Sequence, residues 1–190
     1  MISVRDAERA DGPALAAAHL EGWRSGYRGV VPDAYLDSPE FAANRRSIWA
    51  AWNWNHNGAS ALFTVTIDDD VVGFGLCGPE RAQTECDQQG GEAAASGAAV
   101  ARGEVYSFYL HPSAWGTGAA GALMARCRAW LTEQGHLEAV LWVLRDNPRG
   151  RGFYEKVGWQ PTGRELSFDL AVPGGTTHPL YEVEYLTVLP

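Results

Sequence analysis

The chain has 190 residues, 46% of them hydrophobic, which suffices for one domain with a sizeable core, while no stretch reaches the ~18 apolar residues that a membrane span needs. Its formal net charge of −8 argues against nucleic acid as the main partner, whose phosphates call for clustered Lys and Arg, and mildly favours a cationic substrate such as a protonated amine. Three cysteines, Cys77, Cys86 and Cys127, form no C-x-x-C pair, and the N-terminus lacks a basic region followed by an apolar core, so neither a disulfide framework nor a metal site is expected and a cytoplasmic protein is.

Ser3 to Ala7 reads as a first strand, after which Asp11 is placed to cap a helix with Pro13 in its first turn. Leu15, Ala18, His19, Gly22 and Trp23 recur near helical spacing and predict one buried face. A loop from Gly26 to Pro39 leads into a tryptophan-rich helix. Ala61 to Ile67 and Val71 to Cys77 are two β-rich runs split by Asp68, Asp69 and Asp70, a hairpin signal, and Pro79 ends the second. Residues 80–103 are rich in Gly, Ala, Gln and Glu without an apolar period, which predicts a flexible excursion within one domain spanning 1–190.

The second half is more strongly patterned. A strand through Leu110 leads into a helix from about Gly118 to Gln134, where Ala120, Leu123, Met124, Cys127, Trp130 and Leu131 form one apolar stripe and Gly135 is placed to stop it. Ala139 to Leu144 is continuously apolar, as in a strand buried on both faces of a parallel pair, so a right-handed βαβ unit is expected. Asn147 caps the next helix with Pro148 at its first position, and Gly158 stops it. Runs near Leu166 to Val172 and Tyr181 to Val188 complete a mixed sheet.

The stretch from Val105 to Met124 carries the chemistry. From Gly116 to Gly121 no bulky or acidic side chain intervenes, so successive backbone amides can approach a ligand at a helix start bearing about half a positive charge. Gly116, Gly118 and Gly121 also spell G-x-G-x-x-G, but five residues separate Leu110 from Gly116, and the acidic residue wanted at the end of the next strand, ~20 positions on, has its nearest candidate in Asp146, which lies further away, so a nicotinamide dinucleotide is demoted. No Gly-Lys-Ser or Gly-Lys-Thr follows, which excludes a nucleotide-triphosphate loop.

Phe108, Leu110 and Pro112, followed by Trp115-Gly116-Thr117-Gly118-Ala119-Ala120, resemble the strand and pyrophosphate loop of the GCN5-related N-acetyltransferase (GNAT) family, Gln/Arg-x-x-Gly-x-Gly/Ala. Asn147-Pro-Arg-Gly-Arg-Gly-Phe-Tyr-Glu-Lys-Val-Gly-Trp159 is similar to the same family's Asn-x-x-Ala-x-x-Phe-Tyr-x-x-x-Gly-Phe. The resemblance implies an α/β (α+β) fold: a single GNAT-like domain whose mixed central sheet, flanked by helices, splays two parallel strands to admit acetyl-coenzyme A (acetyl-CoA). It implies that the backbone of Phe108, Tyr109 and Leu110 pairs with the pantetheine arm, that Trp115 and Gly116 to Gly121 hold the pyrophosphate, and that Asn147 meets the cofactor as well as capping its helix. It further implies Glu104 as general base, eleven residues before Trp115, and Tyr154 as general acid, with His111 a rival base. Trp23 and Tyr27 are expected to line an aromatic wall for the amine; Arg149 and Arg151 are within sequence reach of the phosphates, but charged residues on a short helix usually face solvent, and that is the expectation for both. Trp115 departs from the family's Gln or Arg, since an indole donates one hydrogen bond and carries no charge. The implied activity is direct transfer of an acetyl group to a primary amine, of a small molecule or a protein N-terminus. The alternative is an acyl-CoA-binding module with little or no catalysis. Dimers are common among relatives, and the C-terminal strands are suited to a homodimer.

Overall fold

The computed structural model describes residues 1–54, 58–81 and 102–190. Twelve elements follow in order: β1 (Ile2–Asp6), α1 (Gly12–Gly26), α2 (Asp33–Leu36), α3 (Pro39–Ala50), β2 (Ala61–Ile67), β3 (Asp70–Pro79), β4 (Gly103–Leu110), α4 (Ala119–Glu133), β5 (Glu138–Leu144), α5 (Pro148–Lys156), β6 (Gln160–Val172) and β7 (Thr176–Val188). Among the described residues no helix is long and apolar enough to cross a membrane.

The strands form one seven-stranded sheet in the order β1-β2-β3-β4-β5-β7-β6. The β2–β3 hairpin turns on Asp68 and Asp69, at φ 49° and 71°, a left-handed pair that matches the strand twist and that aspartate tolerates better than bulkier residues. Each neighbouring pair is antiparallel except β4 and β5. That parallel seam is short: Gly103, Glu104 and Val105 face Ala139, Val140 and Leu141.

Two faces of the sheet bury different helices. On one, Leu123, Met124, Cys127 and Leu131 of α4 pack against Phe63, Val65 and Val105, with Trp159 and Tyr185 closing the cluster. The stripe read from the sequence is this face, and each fully buried leucine in it contributes about 1.5–3 kcal/mol. On the other, Leu15 of α1 and Trp49 of α3 pack on Leu62, Phe74 and Leu76. Trp52 and Trp54 join this cluster, and Trp49 lies 5.5 Å from Trp52 and 4.7 Å from Phe74. Trp49, Trp52 and Trp54 are therefore packing residues.

Three expectations need correction. Asp11 does not cap α1 with its side chain; its carboxylate is buried and takes bonds from both Arg5 guanidinium nitrogens at 2.7 and 2.8 Å and from the Glu8 amide at 2.9 Å. The last two strands are longer than predicted, because β6 is mostly exposed and its polar residues hide the alternation that marks a strand. The expected loop between α1 and α3 contains the single helical turn α2, whose Leu36 is fully buried.

The excursion predicted over 80–103 lies, for residues 82–101, outside the described residues. Its two ends are joined: the Glu80 amide donates to the Arg102 carbonyl at 2.8 Å, and Arg102 forms a two-bond ion pair with Glu80 at 2.7 and 2.9 Å.

Candidate active site

A β-bulge and a short seam together open the sheet. Leu76 faces Ser107 whereas Cys77 faces Val105, so Tyr106 is the extra residue on β4, and such an insertion bends the strand that carries it. Beyond Val105 and Leu141 the two parallel strands have no mutual pairs, although β4 stays paired to β3 and β5 to β7. The edge of β4 from Phe108 to Leu110 thus faces a wedge rather than a strand. A cavity of about 250 Å³ occupies the wedge.

At one end of the cavity lies the glycine turn. Gly116 and Gly118 sit at φ 79° and 98°, and Gly118 immediately precedes α4. Thr117 fixes the turn from within, its hydroxyl donating to the Ala114 carbonyl at 2.7 Å and accepting from the Ala119 amide at 3.3 Å. The amides of Gly116, Gly118, Ala120 and Gly121 have no acceptor among the described residues. They converge on the positive end of a fifteen-residue helix, an arrangement suited to an anion.

Of the residues singled out from the sequence, Phe108, Tyr109, Leu110, Trp115, Gly116, Ala120, Asn147, Tyr154 and Tyr27 line the cavity. Thr117, Gly118, Ala119 and Gly121 form the turn behind it. Asn147 caps α5, its Oδ1 accepting from the Gly150 amide at 2.9 Å, and it is nine-tenths buried with its Nδ2 lacking a partner among the described residues.

The Tyr154 phenol is held above the usual tyrosine range, first by burial and then by Tyr109 and Cys127 nearby, so it stays protonated through neutral pH. Burial also pushes Tyr27 well up, reinforced by the Tyr109 hydroxyl. Tyr109 is raised by burial too, partly offset by Tyr27 and by the Arg45 cation. Behind Tyr109 stands His19, its ring 4.6 Å away, kept neutral by burial and by Arg45.

Glu104 and Trp23 do not line the cavity. Instead of an open carboxylate, Glu104 is 1% exposed and takes three bonds from Arg81: the main-chain amide at 2.9 Å, Nε at 3.1 Å and a terminal nitrogen at 2.6 Å. The Arg81 guanidinium in turn lies 4.4 Å from the Tyr106 ring centroid, and the Tyr106 hydroxyl donates to the Pro79 carbonyl. Trp23 is one layer back, edge-on to Tyr27 at 4.8 Å, with the Arg45 guanidinium 4.7 Å from its ring; the cation over this indole comes from the protein itself. His111 accepts the Ser113 amide on Nδ1 at 3.2 Å and shapes the turn after β4.

Gly22 and Gly26 on α1 also line the cavity, as do Trp142 and Val143 on β5, without a functional reading in the sequence. A Cβ on Gly22 would lie 3.1 Å from the Leu110 carbonyl, so the glycine lets helix and strand backbones approach. The i, i+4 spacing of Gly22 and Gly26 was the available signal. Arg149, expected to face solvent, is exposed but stacks on Trp115 with 4.0 Å from guanidinium carbon to ring centroid, and also lines the cavity.

A family model described as "Acetyltransferase (GNAT) family" matches residues 29–159. The uncharacterized N-acetyltransferase YuaI of Bacillus subtilis strain 168 is 27% identical over 149 residues, 78% of this chain and 75% of its own. Among solved structures, the PaiA N-acetyltransferase of Thermoplasma acidophilum in complex with coenzyme A (CoA) superposes with a TM-score of 0.66 at 16% identity, over 99% of both chains. The ribosomal-protein-alanine N-acetyltransferase of Brucella melitensis does so with a TM-score of 0.63 at 20% identity, over 98% of this chain and 99% of that one. At these identities the superpositions show a shared fold.

Proposed function

The chain belongs to the acetyltransferase (GNAT) family, and from that premise we propose that it transfers an acetyl group from acetyl-CoA directly to a primary amine, of a small molecule or a protein N-terminus. The observation that carries this reading is the wedge between β4 and β5, which runs from unpaired β4 backbone to a turn of unpaired amides and has a protonated Tyr154 on its wall. The site fits the cosubstrate: backbone from Phe108 to Leu110 offers strand-like bonds to an amide-bearing arm, and the amides around Gly116 to Gly121 suit a diphosphate, each charge-assisted bond contributing about 1.5–3 kcal/mol. Asn147, on the cavity wall, adds a side-chain amide donor.

Acetyl-CoA supplies the activated thioester, and what remains for the chain is positioning and proton movement. A β4 amide freed from sheet pairing is free to stabilise negative charge on the carbonyl oxygen. The Tyr154 hydroxyl donates the proton that the departing thiolate requires. Glu104 is held by Arg81, so in this reading the amine's proton leaves to solvent. Tyr27 and Tyr109 form the acceptor wall, offering neutral hydroxyls and ring faces to an amine. We also assign the protein to the cytoplasm, in keeping with Cys77 and Cys127, which are buried and free.

Thermal unfolding with acetyl-CoA, CoA and nicotinamide dinucleotide in parallel tests the reading. Ligand at 100 times its Kd adds about 2.7 kcal/mol. An upward shift with the two coenzyme A species supports it, and amine-dependent thiol release then separates the transferase from a binding module. No shift with either refutes it, and a shift with the dinucleotide alone would reverse the reading of the glycine turn.

A further inference from the structure

Trp115 and Arg149 come from different elements and meet only because of the fold. The indole stands just before the glycine turn, and the guanidinium reaches it from the first turn of α5, at 4.0 Å from the ring centroid. Both line the cavity together with Gly116, Ala120 and Asn147. We propose that they act as a unit, Trp115 holding Arg149 so that its guanidinium binds a phosphate of CoA at the mouth of the cradle. This rests on the reading of the wedge as the coenzyme A site.

Three features of the structure support the assignment. The guanidinium carbon lies over the Trp115 ring at 4.0 Å from its centroid, a cation–π contact that uses none of the N–H groups and leaves them available to a phosphate. Arg149 has no hydrogen-bond or ion-pair partner among the described residues, whereas its neighbours Arg145 and Arg151 do. Arg145 pairs with Asp146 at 3.4 Å and Glu165 at 3.2 Å, while Arg151 bonds the Tyr185 hydroxyl at 3.1 Å and the Arg145 carbonyl at 3.0 Å.

The second feature is electrostatic. A cation, several unpaired amides and a helix N-terminus gather at one rim, and none of the described cavity-lining residues is acidic, in a protein whose formal net charge is −8. Like charges concentrated in this way are compensated when an anion sits among them. The third is order. An exposed arginine has much rotamer freedom to lose on binding, and stacking on the indole removes part of it beforehand. Trp115 offers only one N–H donor, so as a platform it does more than as a ligand.

Calorimetric titration of the full chain with CoA, dephospho-CoA (no 3′-phosphate) and pantetheine (no phosphate) tests this. Arg149→Gln, at an exposed position, is expected to weaken CoA binding about ten-fold or more while leaving pantetheine unchanged. A loss that persists with dephospho-CoA assigns the contact to the diphosphate, and one that vanishes assigns it to the 3′-phosphate; either supports the proposal. Trp115→Leu should show the same ligand pattern more weakly, and the double variant should bind no more weakly than Arg149→Gln alone. Unchanged CoA binding by Arg149→Gln, an equal loss toward pantetheine, or additive single effects would each overturn it while leaving the proposed activity intact. Failure of the wild-type chain to bind CoA would overturn both.

Discussion

Substitution of Glu104 separates a catalytic carboxylate from a structural one. Its side chain is 2% exposed and that of Arg81 is 23% exposed. Glu104→Ala therefore removes the carboxylate from a guanidinium that keeps some water and its contact with Tyr106, and its cost falls at the low end of the 3–5 kcal/mol typical of breaking a buried pair, about 3 kcal/mol. Glu104→Gln keeps the shape and one acceptor oxygen and should cost about half as much, ~1.5 kcal/mol. At roughly 2–4 °C per kcal/mol for a chain of this size, the melting midpoints should fall by ~6–12 °C and ~3–6 °C. The converse, Arg81→Ala, buries an unpaired carboxylate and should destabilise more than Glu104→Ala. Melting curves, with steady-state thiol release measured well below every midpoint, provide the assay, and Glu104→Gln should retain kcat within about three-fold. An unchanged midpoint together with a kcat loss of ~100-fold would refute the structural assignment and restore Glu104 as the base.

Tyr154→Phe should lower kcat by about 100-fold with little change in CoA affinity, measured by single-substrate kinetics and calorimetry. Because burial raises the Tyr154 pKa, the proton is retained on heading alkaline, so the loss of kcat due to this group should begin only above about pH 10; a Tyr154-dependent limb near pH 8 would contradict the assignment. For Asp11, burial alone would raise the pKa, but the Arg5 bonds, the Glu8 amide and the Arg5 charge outweigh it and hold it below the usual value. Its contribution to stability is thus present above the unfolded-state pKa and lost as pH falls through the lower folded value, so Asp11→Asn should lower urea midpoints at neutral pH and flatten their decline below about pH 4. Gly118→Ala should cost about 1–2 kcal/mol from the φ of 98°, not from crowding, since the nearest atom to the new methyl is Ile2 Cδ1 at 3.7 Å; an unchanged melting midpoint would show that the turn can relax.

The sequence made the second half of the fold legible because its signals are local and agree with one another. The α4 stripe, the apolar β5 run, and Asn147 and Pro148 at the start of α5 each declare one element within a few residues. The motifs that resemble the GNAT family drew attention to Phe108 to Gly121 and to Asn147 and Tyr154 for the same reason. What sequence could not supply was partnership between distant residues. Arg81 is 23 positions from Glu104, and Arg149 lies 34 positions beyond Trp115, so a potential base and a lone charge change character only when the chain folds. Trp23 is similar: an amine-binding wall in the linear reading, it is covered in space by Arg45. The bulge at Tyr106 left no sequence mark at all.

The three-pair seam between β4 and β5 also divides the molecule as a cooperative object. The ladder β1 to β4 and the ladder β5, β7, β6 are each continuous and antiparallel, and within the sheet they meet only at Gly103–Val105 and Ala139–Leu141. Native-state amide exchange should resolve them as two opening units, with seam amides protected no better than the weaker of the two. A ligand lodged in the wedge touches both, so its binding would slow exchange across the whole sheet, far beyond the residues in contact.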